Sequence, residues 1–288
     1  MTVGPDVRTN MPWKAAWLCV ALSLPAVCAQ GAAENHEGRN TAYLTVCGDP
    51  NNLPFSNQEM QGFENRIAEI IADALDRPLH YRWWPQSVGF VRNTLQTRRC
   101  DLVMGITSVN EMVQNTNPYY RSVYSLVQRA DASPRIQSLS DPALKDRRIG
   151  VVAGTPPATL IARYGLMAQT RPYQRTVDTR HAAPAKQAID DVAAGVTDIA
   201  VVWGPIAGYG ASRQNPPLVV TPLPARVDDV PLAFNVSMGL RHRETGWKHE
   251  INALIERLQP EFRQVLMDYG VPLLDAQDHL IQAASPSN

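Results

Sequence analysis

The apolar positions of this chain fall into short segments of two alternating kinds. Leu44-Thr-Val46 is a run of β formers, stopped by the turn-rich Gly48-Asp49-Pro50-Asn51-Asn52. After a small polar loop and Gly62, apolar residues recur at Phe63, Ile67, Ile70, Ile71 and Leu75, the spacing of one helix face. Strand, polar loop and helix start together place ligand-facing groups at the carboxyl end of a parallel strand, although an ordinary ligand-free connection has the same pattern. Next come a strand over Leu79–Trp84, a short helix over Gly89–Thr97 with Phe90, Val91 and Leu95 inward, and a strand over Asp101–Ile106 ending in Thr107-Ser108. A turn at Asn117-Pro-Tyr-Tyr120 and a strand over Ser122–Gln128 follow. The β-α-β-α-β order predicts a parallel sheet.

Residues Ala130–Asp146 break the composition, and the alternation then restarts. Arg148–Ala153 reads as a strand, and Gly154-Thr155-Pro156-Pro157 as a turn feeding a helix closed by Gly165. Ala185–Ala194 reads as a helix capped by Gly195, and Asp198–Val202 as a strand ending in Trp203-Gly204-Pro205. Phe234–Leu240 alternates like a strand; Trp247–Leu258 and Glu261–Asp268 read as amphipathic helices. The fold class is therefore α/β, a two-lobed clam-shell with two hinge crossings. Residues 42–129 and 234–288 form lobe I and residues 130–233 an inserted lobe II, with hinges near Gln128–Asp131 and Leu232–Val236. Ligand clefts lie between such lobes and close by hinge motion.

The chain has 288 residues, 44% of them hydrophobic, and a formal net charge of zero. That neutrality supplies no global attraction to nucleic acid or to an anionic membrane. The N-terminus reads as a secretory signal: Lys14 precedes the apolar Ala15–Val27, and Val27-Cys28-Ala29 suits cleavage after Ala29. The run is shorter than the roughly 18 residues of a membrane span, and Val27 is a poor fit to a lipoprotein signal. Residues 1–29 are thus a signal peptide, residues 30–41 a flexible lead-in, and the mature chain is expected in the periplasm with no membrane association.

Cleavage leaves two of the four cysteines, Cys47 and Cys100. An oxidising compartment invites a disulfide between them; two small buried hydrophobes is the alternative. Parallel strands with Cys47 at the end of one and Cys100 at the start of the other would hold them beyond the reach of about 7 Å between Cα atoms, so strand geometry argues against the disulfide that the compartment invites.

Enzymatic chemistry finds little support. His36, His80, His181, His242, His249 and His279 lack metal-ligand spacing, and no Gly-x-Ser-x-Gly elbow occurs. Asp190-Asp191 and Asp228-Asp229 stand outside any acidic loop of calcium-binding spacing. No catalytic residue, metal or cofactor is assigned. Trp83 and Trp84 are candidates for an interface, and as neighbours on a strand one is expected in the core and the other exposed.

The layout resembles the type II periplasmic solute-binding proteins over nearly the whole mature chain. A closer resemblance, to the MxaJ/XoxJ family of methanol-oxidation accessory proteins, is carried by several stretches: Val46–Asn57, Gly62-Phe-Glu-Asn65, Trp83-Trp-Pro-Gln86, Gly89–Asn93, Arg99–Gly105, Pro118–Ser122, Trp203-Gly-Pro205 and Tyr269–Leu273. It implies a periplasmic partner of a pyrroloquinoline-quinone (PQQ)-dependent methanol dehydrogenase, which it binds and helps mature or activate, with that enzyme's cytochrome c as a further candidate partner.

Amino-acid-binding relatives clamp the ligand carboxylate with an arginine after the third strand and the amine with an aspartate at the end of the last second-lobe strand. Here Ile106–Tyr119 holds no arginine, and the aspartate position resembles Trp203, which offers a donor and a π-face but no charge. The candidate cleft residues are Asp49, Asn51, Asn52, Phe55, Glu64, Thr107, Ser108, Arg121, Thr155 and Trp203, although turn and cap chemistry also explains several of them. Amides, hydroxyls and aromatics suit a protein surface or a neutral solute. The alternative function is a receptor that delivers an uncharged or cofactor-like solute to an ABC-type transporter.

Overall fold

The computed structural model describes residues 41–108 and 110–281; the signal peptide expected over 1–29, and residues 30–40 of the lead-in, lie outside the described residues. Strand β1 (Leu44–Gly48) is buried along its whole length, as a strand covered on both faces must be. The loop after it folds into two short antiparallel strands, β2 (Asn51–Asn52) and β3 (Ser56–Asn57). Helix α1 (Phe63–Ala74) starts where the Gly62 and Asn57 N–H groups donate to Asn65 Oδ1 at 3.0 and 3.1 Å. Then come β4 (Leu79–Trp83), the single-turn α2 (Phe90–Asn93), β5 (Leu102–Thr107) and the long β6 (Gln114–Gln128).

The second half of the alternation is β7 (Ile149–Val152), α3 (Pro156–Arg163), β8 (Thr170–Tyr173), α4 (Pro184–Ala193), β9 (Ile199–Trp203) and α5 (Gly204–Ser212). It continues through β10 (Val219–Pro222), the small hairpin of β11 (Arg226–Val227) and β12 (Val230–Pro231), and β13 (Ala233–Leu240). Helices α6 (Thr245–Arg257) and α7 (Gln259–Asp268) are the last helices among the described residues. Among the described residues the main sheet runs β4-β1-β5-β13-β6-β9-β7-β8, with β10 also on β6.

Strand β6 links the two halves. Residues up to Val123 pair antiparallel with β13, whereas Tyr124–Gln128 pair with β9 and β10. On the first side α1, α6 and α7 pack on the sheet through Phe63, Ile67, Trp247, Ile251 and Phe262. Phe90, Leu95 and Val103 fill the opposite face. On the second side Leu126, Ile149, Leu160 and Ile199 form one face, and Val127, Ile189, Val192 and Ala207 the other. Each lobe therefore owns its core.

Several expectations are corrected. The first crossing lies at Val123–Tyr124, ahead of the predicted 129/130 border and the Gln128–Asp131 hinge, because an extended run looks the same whichever strand it pairs with. The C-terminal segment is not confined to lobe I: Leu273 packs in the first core and Leu274 in the second. Asn117-Pro118 is no turn but lies inside β6, where the pairing register with β13 shifts at Pro118; a proline without an N–H is tolerated at such a bulge. The predicted Gly89–Thr97 helix shortens to one turn. Strand β8 and helix α5 were not expected.

Cys47 and Cys100 are disulfide-bonded, with Cα atoms 5.6 Å apart. The expected separation fails because Cys100 is not on the strand path. Asp101, a bend residue, donates its N–H to Thr45 O at 2.8 Å, and regular pairing starts only at Val46 with Leu102. Trp83 and Trp84 are both half-buried rather than one in and one out. Trp83 stacks on Tyr81 with centroids 4.3 Å apart, whereas Trp84 packs beside the disulfide cluster with Arg99 5.8 Å from its ring centroid.

Candidate functional site

Segments following β1, β5, β7 and β9 line one cavity of about 1500 Å³ between the lobes. Its floor is aromatic. Tyr124 of β6 sits opposite Trp203 of β9 in register, with ring centroids 5.2 Å apart, and Phe234 of β13 lies 6.1 Å from Trp203. The three rings meet edge to face where the strands change lobes, an arrangement favoured by the ring quadrupole. Burial pushes the Tyr124 hydroxyl up to about 12, against a smaller downward pull from Arg175, so it stays protonated at neutral pH.

The first-lobe wall is made of amides and hydroxyls. Asn52 Nδ2 donates to Gln86 Oε1 at 3.1 Å, and Ser108 N–H donates to Asn235 O at 3.1 Å. Ser108 Oγ is buried without a hydrogen-bond partner. Arg121 Nε donates to Asp278 Oδ1 at 2.7 Å, and its Nη1 reaches Asn235 Oδ1 at 3.4 Å. On the second-lobe wall the Thr155 hydroxyl donates back to Val152 O at 2.7 Å.

One edge of the cleft is clasped. Thr179, in the loop between β8 and α4, donates its hydroxyl to the Asp49 carboxylate at 2.7 Å, and Asn51 Nδ2 donates to Thr179 O at 2.9 Å. The same carboxylate accepts the N–H groups of Asn51 and Gln86 at 2.9 and 2.5 Å. A second-lobe loop thus rests on a buried first-lobe carboxylate that also accepts two backbone N–H groups.

Of the ten cleft candidates, Asn51, Asn52, Thr107, Ser108, Arg121, Thr155 and Trp203 line the cavity. Asp49 lies at the clasp. Phe55 does not reach the cavity and packs on Phe63, 5.3 Å between centroids. Glu64 is also withdrawn, buried in the first lobe against Gly105. Burial, helped by the nearby Asp49 carboxylate, raises its carboxyl to about 8. Trp83 and Trp84 border a separate recess of about 790 Å³ beside the clasp, with Asp178 and Arg180.

The sequence missed Tyr124, Phe234, Asn235, Arg175 and Arg213 as lining residues. Phe234 carried a usable signal, being aromatic and within the predicted second crossing, whereas Tyr124 stands four residues before the predicted first one. The two arginines sit in connections that had no motif. Among the described residues no group of His, Cys, Asp and Glu could hold a metal ion, and no helix is long and apolar enough to cross a membrane.

Residues 44–266 match the bacterial extracellular solute-binding proteins, family 3. Protein MoxJ of Methylorubrum extorquens AM1 is 30% identical over 88% of this chain and 91% of its own length. The crystal structure of periplasmic binding protein XoxJ from Methylobacterium extorquens AM1 is 41% identical, with a TM-score of 0.69 over 81% of this chain and 99% of that one. MxaJ from Methlophaga aminisulfidivorans MPT is 28% identical, with a TM-score of 0.70 over 80% of this chain and all of that one. With its two-lobed type II binding-protein fold, the chain belongs to the bacterial extracellular solute-binding proteins, family 3, and within them to the MxaJ/XoxJ family.

Proposed function

We propose that this chain is a periplasmic accessory protein of methanol oxidation that binds a PQQ-dependent methanol dehydrogenase and helps it mature or become active. It acts by stabilising one state of that partner, with no turnover of its own. The observation that carries this reading is the size and chemistry of the cleft. A site for one small molecule typically encloses about 300–1,000 Å³, and this cavity of about 1500 Å³ exceeds that range.

The amino-acid clamps are also missing. Ile106–Tyr119 holds no arginine, the position of Trp203 resembles that of the amine-binding aspartate in such relatives, and Arg121 is engaged by Asp278. Aromatic rings surrounded by amides are the composition of a protein-docking surface. The likeness to MoxJ, XoxJ and MxaJ supports the choice of partner. The signal sequence supports export, which brings the chain to the compartment of such an enzyme.

Co-elution tests the reading. The mature chain is mixed with purified methanol dehydrogenase, apo or PQQ-loaded, and run on a sizing column. A complex with at least one form is expected. Separate elution from both, with a melting temperature raised by an uncharged solute, would favour the transport receptor instead.

A further inference from the structure

We infer that the cleft receives an acidic polypeptide segment, and that Arg175 and Arg213 bind its carboxylates. This rests on the reading of the cleft as a docking groove, and it names the chemistry of what docks there.

The chain as a whole balances 27 basic against 27 acidic residues, but the cavity lining does not. Its charged residues are Arg121, Arg175, Lys186 and Arg213 against Asp229. Three of these five are already compensated: Arg121 by Asp278 at 2.7 Å, Lys186 by Asp190 at 2.6 Å, and Asp229 by Arg163. Arg175 and Arg213 remain, and among the described residues neither has a carboxylate partner. Arg175 donates to Gly154 O at 3.0 Å. Arg213 lies 3.5 Å from the Tyr209 ring centroid and donates to Tyr209 O at 3.3 Å.

Each guanidinium has five N–H donors in a planar fork suited to a carboxylate, and these contacts leave most of them unused. Stacking on Tyr209 fixes the Arg213 plane before anything binds, which lowers the entropy cost of pairing. The rings of Trp203, Tyr124 and Phe234 line the same cavity. The first-lobe wall adds the amides of Asn51, Asn52 and Asn235, which can satisfy a peptide backbone. Cationic wall, aromatic floor and amide wall together match a polypeptide with acidic side chains, and the volume exceeds what a single metabolite fills.

The test uses the full mature chain and labelled peptides of equal length with one central phenylalanine, flanked by acidic, neutral or basic residues. Binding is read by fluorescence anisotropy at low and high salt. The acidic peptide is expected to bind most tightly and to weaken with salt. Arg175→Gln and Arg213→Gln are each expected to cost about tenfold in affinity, and Arg213→Lys to recover only part. Arg135→Gln, outside the cavity lining, leaves affinity and melting temperature unchanged.

Equal binding of the three peptides, or acidic binding indifferent to both arginine variants, would overturn the inference. So would saturation by a free aromatic tricarboxylate with no peptide binding, which identifies a small anion as the occupant. Loss of acidic-peptide capture with the dehydrogenase complex intact refutes this inference alone. Acidic-peptide capture with no dehydrogenase complex refutes only the proposed partner.

Discussion

At the scale of single residues, the burial of Glu64 has a measurable consequence. Its carboxyl titrates at about 8 in the folded chain, against an ordinary 4.5. Between those values the folded chain keeps a proton that the unfolded chain has released, so stability falls as pH rises through the window and levels off above it. Burial is the larger cause and the Asp49 carboxylate the smaller. Glu64→Gln cannot ionise and should remove the slope, gaining up to a few kcal/mol over the native chain at mildly alkaline pH. Urea unfolding of both proteins across the window checks this; parallel pH profiles would contradict it. Gly105 has a positive φ of 68°, and a Cβ there would sit 2.3 Å from Glu64 Oε1. Gly105→Ala should therefore destabilise and disturb the Glu64 titration, with a loss of about 1–3 kcal/mol for the crowding alone.

At the scale of elements, α5 is the piece that ties the hinge to the chain after α7. A Cβ on Gly208 would lie 1.8 Å from Gly270 O, a backbone atom that cannot swing aside. The Tyr209 and Tyr269 rings stack 5.8 Å apart at the same junction. Gly208→Ala is expected to cost about 1–3 kcal/mol in chemical denaturation, the range for overpacking a close contact; an unchanged midpoint would mean that the junction has slack. The disulfide acts on the other side of lobe I by closing a sequence separation of 53 residues. The double substitution Cys47→Ser/Cys100→Ser should lower stability by about 2–4 kcal/mol, to about the level of the reduced native chain.

These elements also explain what could be read in advance. The periodicity of Phe63, Ile67 and Ile71 was legible because α1 buries one stripe against a sheet. Helix α5 was not, because Gly204, Pro205, Gly208 and Gly210 within nine residues read as a turn; close backbone approach, absent from any local pattern, makes it a helix. The change of partner along β6 was hidden for a similar reason, since Val123 and Tyr124 follow one another in an unbroken strand. Seven of ten cleft candidates line the cavity because loops at the carboxyl ends of parallel strands lead there by topology. Phe55 and Glu64 fail because they belong to the helix packing behind those loops. Arg175 and Arg213 are set by tertiary placement of connections, which leaves no trace in spacing.

At the scale of the whole molecule, two lobes with separate cores meet through paired strands, an aromatic cluster and the Thr179 clasp on Asp49. Hinge motion needs few contacts to break when each lobe keeps its own core. Thr179→Val removes the hydroxyl from the clasp while keeping side-chain shape, and a hydrogen bond to a charged group contributes about 1.5–3 kcal/mol. The variant is expected to populate a more open form, seen as a larger radius of gyration in solution scattering and faster amide exchange over residues 174–183. Scattering indistinguishable from the native chain would mean that other contacts hold the lobes.

Calorimetric titration of the mature chain into methanol dehydrogenase, apo and PQQ-loaded, at two salt concentrations tests the proposed role most directly. Saturable heat with a preference for one form of the enzyme is the predicted result, and the preferred form places the chain before or after cofactor loading. No heat with either form, combined with a small uncharged solute that binds the cleft and raises the melting temperature, would contradict it.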